Sequence, residues 1–390
     1  LLAREGRRVL LLEKDAHPRF HIGESLLPCN LPILEELGVM SELRAIGTVK
    51  LGADFSPHND REHRTYFFAR SLNRAPPHAY EITRSEFDEM LFRNAARLGA
   101  ETREHVRVRD VETAATGCLV RATDQDGKEL TLRGRYFVDA SGRDTLLGKK
   151  LGLKRKNMTH GSAAIFGHFG GVVRREGRDQ GNISIYWFDH GWIWMIPLKG
   201  DVMSVGAVCW PEYLKTRTGS TREFLMQTLA LCPAAFERLS GAELLSEVRA
   251  TGNYSYTSDR MTGPGWMMVG DAFAFIDPVF SSGVYLAMNS AKLAAHAIGA
   301  ILARPEREAE LQAQYEARVR KGIGAFSWFI YRFTTPAMRW IFKNPRNVLR
   351  LEEAVISMLA GDVFESEEVD RRFRYLRALY WIRSVAEASQ

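Results

Sequence analysis

Trp266-Met267-Met268-Val269-Gly270-Asp271-Ala272 is an apolar run that stops abruptly at Gly-Asp, the pattern of a buried strand whose acid emerges at its carboxyl end. Phe275-Ile276-Asp277-Pro278-Val279-Phe280-Ser281-Ser282-Gly283 follows, and after it a stretch of small residues suited to a tightly packed helix. A helix that opens near Gly283 points backbone N–H groups at whatever lies beyond the strand end, which suits an anion. Strand, acid, loop and helix in that order are the parts of a nucleotide-binding α/β layer.

Working outward, the same kind of strand end recurs. Arg8-Val9-Leu10-Leu11-Leu12-Glu13 is a short apolar run ending in an acid, and a carboxylate there suits ribose hydroxyls. In such units the acid lies about 20 residues beyond a glycine loop, which places that loop before Leu1. Tyr136-Phe137-Val138-Asp139-Ala140-Ser141-Gly142 is a further strand that ends against a nucleotide. Helical periodicity is expected over Leu31 to Ile46 and over Glu86 to Leu98, and short strands over Val106 to Val138 around the Gln125-Asp126-Gly127 turn. Ala163 to Trp210 is β-rich and aromatic, as the floor of a substrate pocket would be. After Ser290 the chain reads as helix almost to its end.

Composition narrows the class. The 390 residues carry 53 basic and 47 acidic side chains without a block of like charge, which argues against a nucleic-acid groove. Cys29, Cys118, Cys209 and Cys232 have no metal-ligand or C-x-x-C spacing, so no metal is expected and a reduced, cytoplasmic setting is the default. The apolar segment Phe326 to Phe342 is interrupted by Arg332, Pro336 and Arg339, which favours a buried or lid-forming helix pair over membrane contact.

Glu13, Arg84 with Asp88, Asp139-Ala140-Ser141-Gly142 and Gly270-Asp271 stand in the order found in flavoprotein monooxygenases and their relatives, which the chain resembles. The resemblance implies an α/β protein: an FAD-binding three-layer ββα fold of the glutathione reductase type, with an inserted mixed β-sheet substrate domain and a C-terminal helical region. Residues 1–50, 84–160 and 256–303 would form the FAD-binding lobe, its first strand and Gly-rich loop lying upstream. Residues 51–83 would be an insertion, 161–255 the β-rich substrate domain and 304–390 the helical region. Cofactor contacts are implied for Glu13, Ser25, Arg84, Val108, Asp139, Asp271, Asp277, Pro278, Gly283 and Val284.

Gly191-Trp192-Ile193-Trp194-Met195-Ile196-Pro197 narrows the family, because it matches the W-x-W-x-I-P motif of flavin-dependent halogenases. Phe275, Pro278, Ser281 and Gly283 match their F-x-x-P-x-x-S-x-G pattern, and Lys50 stands where that family places its active-site lysine. The residues by themselves leave other readings open. Two tryptophans two apart on a strand share a face and serve equally well to fill a core, and most lysines are solvated.

The resemblance implies reduced FAD from a separate flavin reductase, O2, and chloride or bromide held near Ser282 and Gly283. Hypohalous acid formed from the flavin hydroperoxide would pass to Lys50, while Trp192 and Trp194 screen the flavin from substrate. Phe280 stands where tryptophan halogenases carry a glutamate, which turns the expectation toward a phenol, a pyrrole or a carrier-protein-bound acyl group. In one relative of that branch the aspartate matching Asp277 is covalently bonded to the flavin. The alternative on the same fold is a flavin monooxygenase or a geranylgeranyl-reductase-like enzyme, and fold alone does not decide between them.

Overall fold

The computed structural model describes residues 1–57, 62–72, 75–157, 161–252, 255–343 and 347–388. Leu10–Leu12 pairs in parallel with Glu101–Arg103, and Phe137–Asp139 in parallel with Trp266–Met268. Between them Arg107–Ala114, Gly117–Thr123 and Glu129–Gly134 form a three-stranded antiparallel sheet. The sheet's tight turn is closed by Asp124, whose carboxylate accepts from the Asp126 and Lys128 amides. With the helix Ser282–Ala303 against the Gly270–Ala272 turn, these elements bring the acid-tipped strands to one end of the lobe.

The second lobe is an eight-stranded sheet. Its order runs Glu243–Leu244, Ala163–Gly170, Val202–Cys209, Gly191–Pro197, Ile183–Phe188, Gly52–Pro57 and Arg64–Phe67, with Arg249–Thr251 pairing off that path. Its pairings are antiparallel apart from Ile183–Phe188 with Gly52–Pro57, so the sheet is mixed. The central strands are buried on both faces, hence their unbroken apolar sequence. Ile193, Met195, Val205 and Ala207 share a core with Phe224, Leu225 and Leu229 of the Thr221–Ala230 helix. Trp192, Trp194 and Ile196, alternating with them, share another with Phe326, Phe329, Phe333 and Phe342 of the C-terminal segment. Each buried indole contributes roughly 4–6 kcal/mol of hydrophobic gain, so these tryptophans help to hold the fold together.

Most expected elements are present, with two shifts. Leu31 to Ile46 is two helices, Leu31–Glu36 and Met40–Ile46, because Gly38 takes a left-handed conformation between them at φ +72°. The small-residue helix begins at Ser282, one residue before Gly283 and eight before Ser290. This helix has the length and hydropathy to cross a membrane. It carries Asn289, Ser290, Lys292 and His296 in its body and packs against the Glu308–Ile330 helix. Pro336 opens a new helix, Pro336–Lys343, because proline fits the first turn and not the interior.

Candidate active site

One cavity of about 2330 Å³ runs along the strand ends into the second lobe. Glu13, Ser25, Arg84, Val108, Asp139, Asp271, Asp277, Pro278, Ser282, Gly283, Val284, Trp192 and Trp194 all line it; Lys50 does not.

At one end Glu13 accepts from the Asp15 amide and from Arg19 Nη2 at 3.1 Å. Arg19 also reaches Asp88, which takes a two-pronged bond from Arg84 (Nε–Oδ1 2.8 Å, Nη2–Oδ2 3.0 Å). Arg84 Nη1 donates to the Ile22 carbonyl at 2.7 Å, so the helix that starts at Arg84 holds the Ile22–Ser25 loop over the cavity. Such planar, paired contacts fix the guanidinium's position. Asp139 behaves otherwise. Its two oxygens accept from the Ser141 and Leu147 amides at 2.9 and 2.8 Å, so its carboxylate shapes the loop. Asp271 is pushed up to about 6: its enclosure outweighs the pull of Arg84 and Arg143.

The turn before the long helix is held by Asp277, which accepts from the Val279 amide at 3.1 Å and from Ser162 Oγ at 3.3 Å. Ser281 then takes a left-handed conformation, φ +56°, and the helix opens with its first amides at the cavity wall.

Trp192 and Trp194 are 3% and 4% exposed, with ring centroids 5.8 Å apart. Trp194 Nε1 donates to Ser204 Oγ at 3.1 Å. They face the cavity on one side, and on the other they join the aromatic cluster that includes Phe55, Trp187, Phe333 and Phe342.

Lys50 is 1% exposed, so it is not a solvated surface lysine. Its ammonium donates to Ser25 Oγ at 2.7 Å and to the Leu26 carbonyl at 3.2 Å, one residue layer behind the cavity wall. Asn182 Oδ1 accepts from the Leu51 and Gly52 amides at 3.0 and 2.8 Å, and its Nδ2 donates to Asp54, which fixes the backbone beside Lys50.

Sequence reading did not single out Arg19, Asn182, Glu81 or the pair Glu24–His168. An acid beside Tyr80 in a short apolar stretch was the available signal for Glu81; Asn182 and the pair Glu24–His168 have partners remote in the chain, and Arg19, though near Glu13 in sequence, stands in no local pattern.

The parallel strand ends, the antiparallel insert and the shared cavity define a nucleotide-binding flavoprotein. Residues 61–339 match the sequence profile of the Tryptophan halogenase family, and the chain belongs to that family of FAD-dependent enzymes. It is 35% identical over 353 residues to flavin-dependent halogenase gsfI of Penicillium aethiopicum, covering 83% of this chain and 66% of that protein. It is 28% identical over 395 residues to the 1H-pyrrole-2-carbonyl-[peptidyl-carrier protein] chlorinase of Pseudomonas fluorescens, covering 95% and 87% respectively. Among solved structures, the myxobacterial chondrochloren halogenase CndH superposes with a TM-score of 0.81 at 34% identity, over 95% of this chain and 91% of that one.

The residues present fit FAD. Among the described residues a Cβ on Gly283 would meet only Phe275 Cε2, at 4.0 Å, so the helix start leaves open space for a flat ring. The cavity wall also includes Glu13, Arg84, Arg143, Trp192 and Trp194, so acid, cationic and aromatic groups share one continuous space.

Proposed function

We propose that this chain is an FADH2-dependent halogenase that places chlorine or bromine on an electron-rich phenol, pyrrole or carrier-protein-bound acyl group. The observation that carries the reading is Lys50: a buried ammonium anchored on Ser25, whose side chain is part of the flavin cavity wall. A monooxygenase has no need of such a lysine behind the wall.

Bound reduced FAD, supplied by a separate reductase, furnishes hypohalous acid from O2 and halide. The chain's own residues do the rest. Amides at Ser282 and Gly283 hold the halide at the helix start. Trp192 and Trp194 keep substrate out of the cavity, and Lys50 passes the electrophile on by way of Ser25. Substrate lies beyond the tryptophans, among Phe55, Trp187, Phe333 and Phe342, covered by the helices of residues 304–390. A phenol there supplies its own activated ring as phenolate. The carrier-bound alternative draws support from the Pseudomonas relative, whose substrate is carrier-bound.

The test is a reaction with FAD, a flavin reductase, NADH, O2 and a panel of phenols and pyrroles, free and carrier-bound, in chloride, bromide or halide-free buffer. Halogen isotope patterns that vanish in Lys50→Met support the reading. Oxygenated products without halogen return the chain to the monooxygenases. Acid denaturation tests Asp277: flavin retained by the protein supports a covalent link, and flavin in the supernatant removes it.

A further inference from the structure

Lys50 ends the strand Thr48–Lys50 and Glu81 ends its antiparallel neighbour Ala79–Glu81. Lys50 is 1% exposed and Glu81 0%, with Nζ 3.9 Å from Oε1. Among the described residues neither Glu81 oxygen makes a well-formed hydrogen bond. An acid shut away in that state is costly unless a counter-charge stands beside it, and Lys50 is that counter-charge.

The other charged groups are accounted for. Lys50 also faces Asp54 from the strand Gly52–Pro57. Glu81 faces the Ser25 hydroxyl, the Ile183 amide and Glu24, and Glu24 is itself bonded to His168 Nε2 at 2.7 Å. Asp54 has Arg175 Nε at 3.9 Å as its own counter-charge, Glu24 has His168 while that histidine is protonated, and Lys50 stands with Glu81. Burial pulls the Lys50 ammonium down and pushes the Glu81 carboxyl up to about 7, and each partner opposes the other's shift.

We infer that Glu81 is a positioning residue for Lys50: its carboxylate holds the amine beside Ser25 and keeps it an ammonium, so that Lys50 hands on hypohalous acid by hydrogen bonding. The inference rests on the reading of Lys50 as the delivery residue. The competing chemistry is distinct. A neutral amine would attack the halogen, forming an N–halogen bond as the O–halogen bond breaks, with the departing hydroxide taking the amine's proton to leave as water. An ammonium has no lone pair for that step. Glu81 thus selects between carriage and covalent capture.

The test reads Lys50 directly, without flavin. The full chain is labelled at lysine Cε and Nζ and titrated by NMR, the Lys50 signal being identified by its loss in Lys50→Met. Wild-type Lys50 is expected to be an ammonium near pH 8. In Glu81→Gln it should deprotonate at least about one pH unit lower, a tenfold change in amine fraction, because burial is then unopposed by that carboxylate. Glu81→Asp, which keeps the charge, should restore most of the difference.

The alkaline limb of the bromination profile should move down with the Lys50 titration in Glu81→Gln. Dilute hypobromous acid added to flavin-free Glu81→Gln should leave an N-bromo adduct on the Lys50 peptide that wild type lacks. A neutral Lys50 in wild type near pH 8, or a titration unmoved by Glu81→Gln, overturns the inference. If Glu81→Gln does not fold, Glu81→Met, which removes the charge with an apolar side chain of similar size, takes its place in the titration. Halogenation that survives in Lys50→Met sinks the delivery reading instead, and the titrations still report whether Glu81 sets the lysine's charge.

Discussion

The Trp194 indole lies over Gly206, its register partner on the facing strand Val202–Cys209, and a Cβ on Gly206 would stand 2.4 Å from the ring and 2.4 Å from Phe166 Cβ on the other neighbouring strand. The cavity wall thus depends on a missing side chain. Gly206→Ala should destabilise the protein by about 1–3 kcal/mol through overpacking and change the near-UV circular dichroism of the tryptophans. Trp194→Phe in the same chain should recover part of that loss, since the smaller ring vacates the contested space. If the two losses simply add in a double-mutant cycle, the residues do not share that space.

Gly283 makes the opposite case. Among the described residues nothing stands closer than 4.0 Å to a Cβ there, and alanine is the better helix residue. Gly283→Ala should leave the thermal midpoint unchanged or raise stability by up to about 1 kcal/mol, while FAD binding weakens because the methyl occupies the cavity wall. Flavin fluorescence titration beside calorimetry separates the two effects. Undiminished flavin affinity would show that the ring does not lie against this helix start.

These two glycines mark what sequence can disclose. Gly283 was legible because the strand, acid and helix around it are contiguous, and local pattern carries the strand ends at Glu13, Asp139 and Asp271. Gly206 was not, since its meaning comes from a register partner on another strand. The same holds for the sheet that places Gly52–Pro57 beside Ile183–Phe188 across more than a hundred residues. Residue type also leaves local duties unseen: Asp139 lines the cavity, and its oxygens also accept from the Ser141 and Leu147 amides that shape the loop beside it. Lys50 was legible as a position but not as a buried pair with Glu81, because neither strand reaches the length at which periodicity is readable.

His168 should report on pH. Its bond to the buried Glu24 holds its protonated form above the ordinary value of 6.5, against the pull of burial and Arg249. A raised folded value means that the stabilisation is fully present below about 6.5 and is lost as pH rises through the folded value. Wild type should therefore exceed His168→Gln by about 1–2 kcal/mol near pH 5.5, with the gap closing toward pH 8. Urea midpoints of both proteins across that range are the measurement. A gap independent of pH would mean that the pair is held by neutral hydrogen bonding.

Asp271 runs with the reverse sign. Its carboxyl is pushed up to about 6 from an ordinary 3.8, so ionisation is harder in the folded chain and stability falls as pH rises between those values. Asp271→Asn removes a charge held in a half-buried site and should stabilise the flavin-free protein at neutral pH by roughly 1–3 kcal/mol, the free energy that so displaced a carboxyl represents, with no gain near pH 3.5. The same substitution should weaken FAD binding, since the strand-end acid is then no longer available to the cofactor's hydroxyls. Stability gained together with flavin lost identifies Asp271 as a residue kept for binding at the expense of the fold. Stability gained with flavin affinity intact would assign the cofactor's hydroxyls to other groups along the cavity, with Glu13 the first to test.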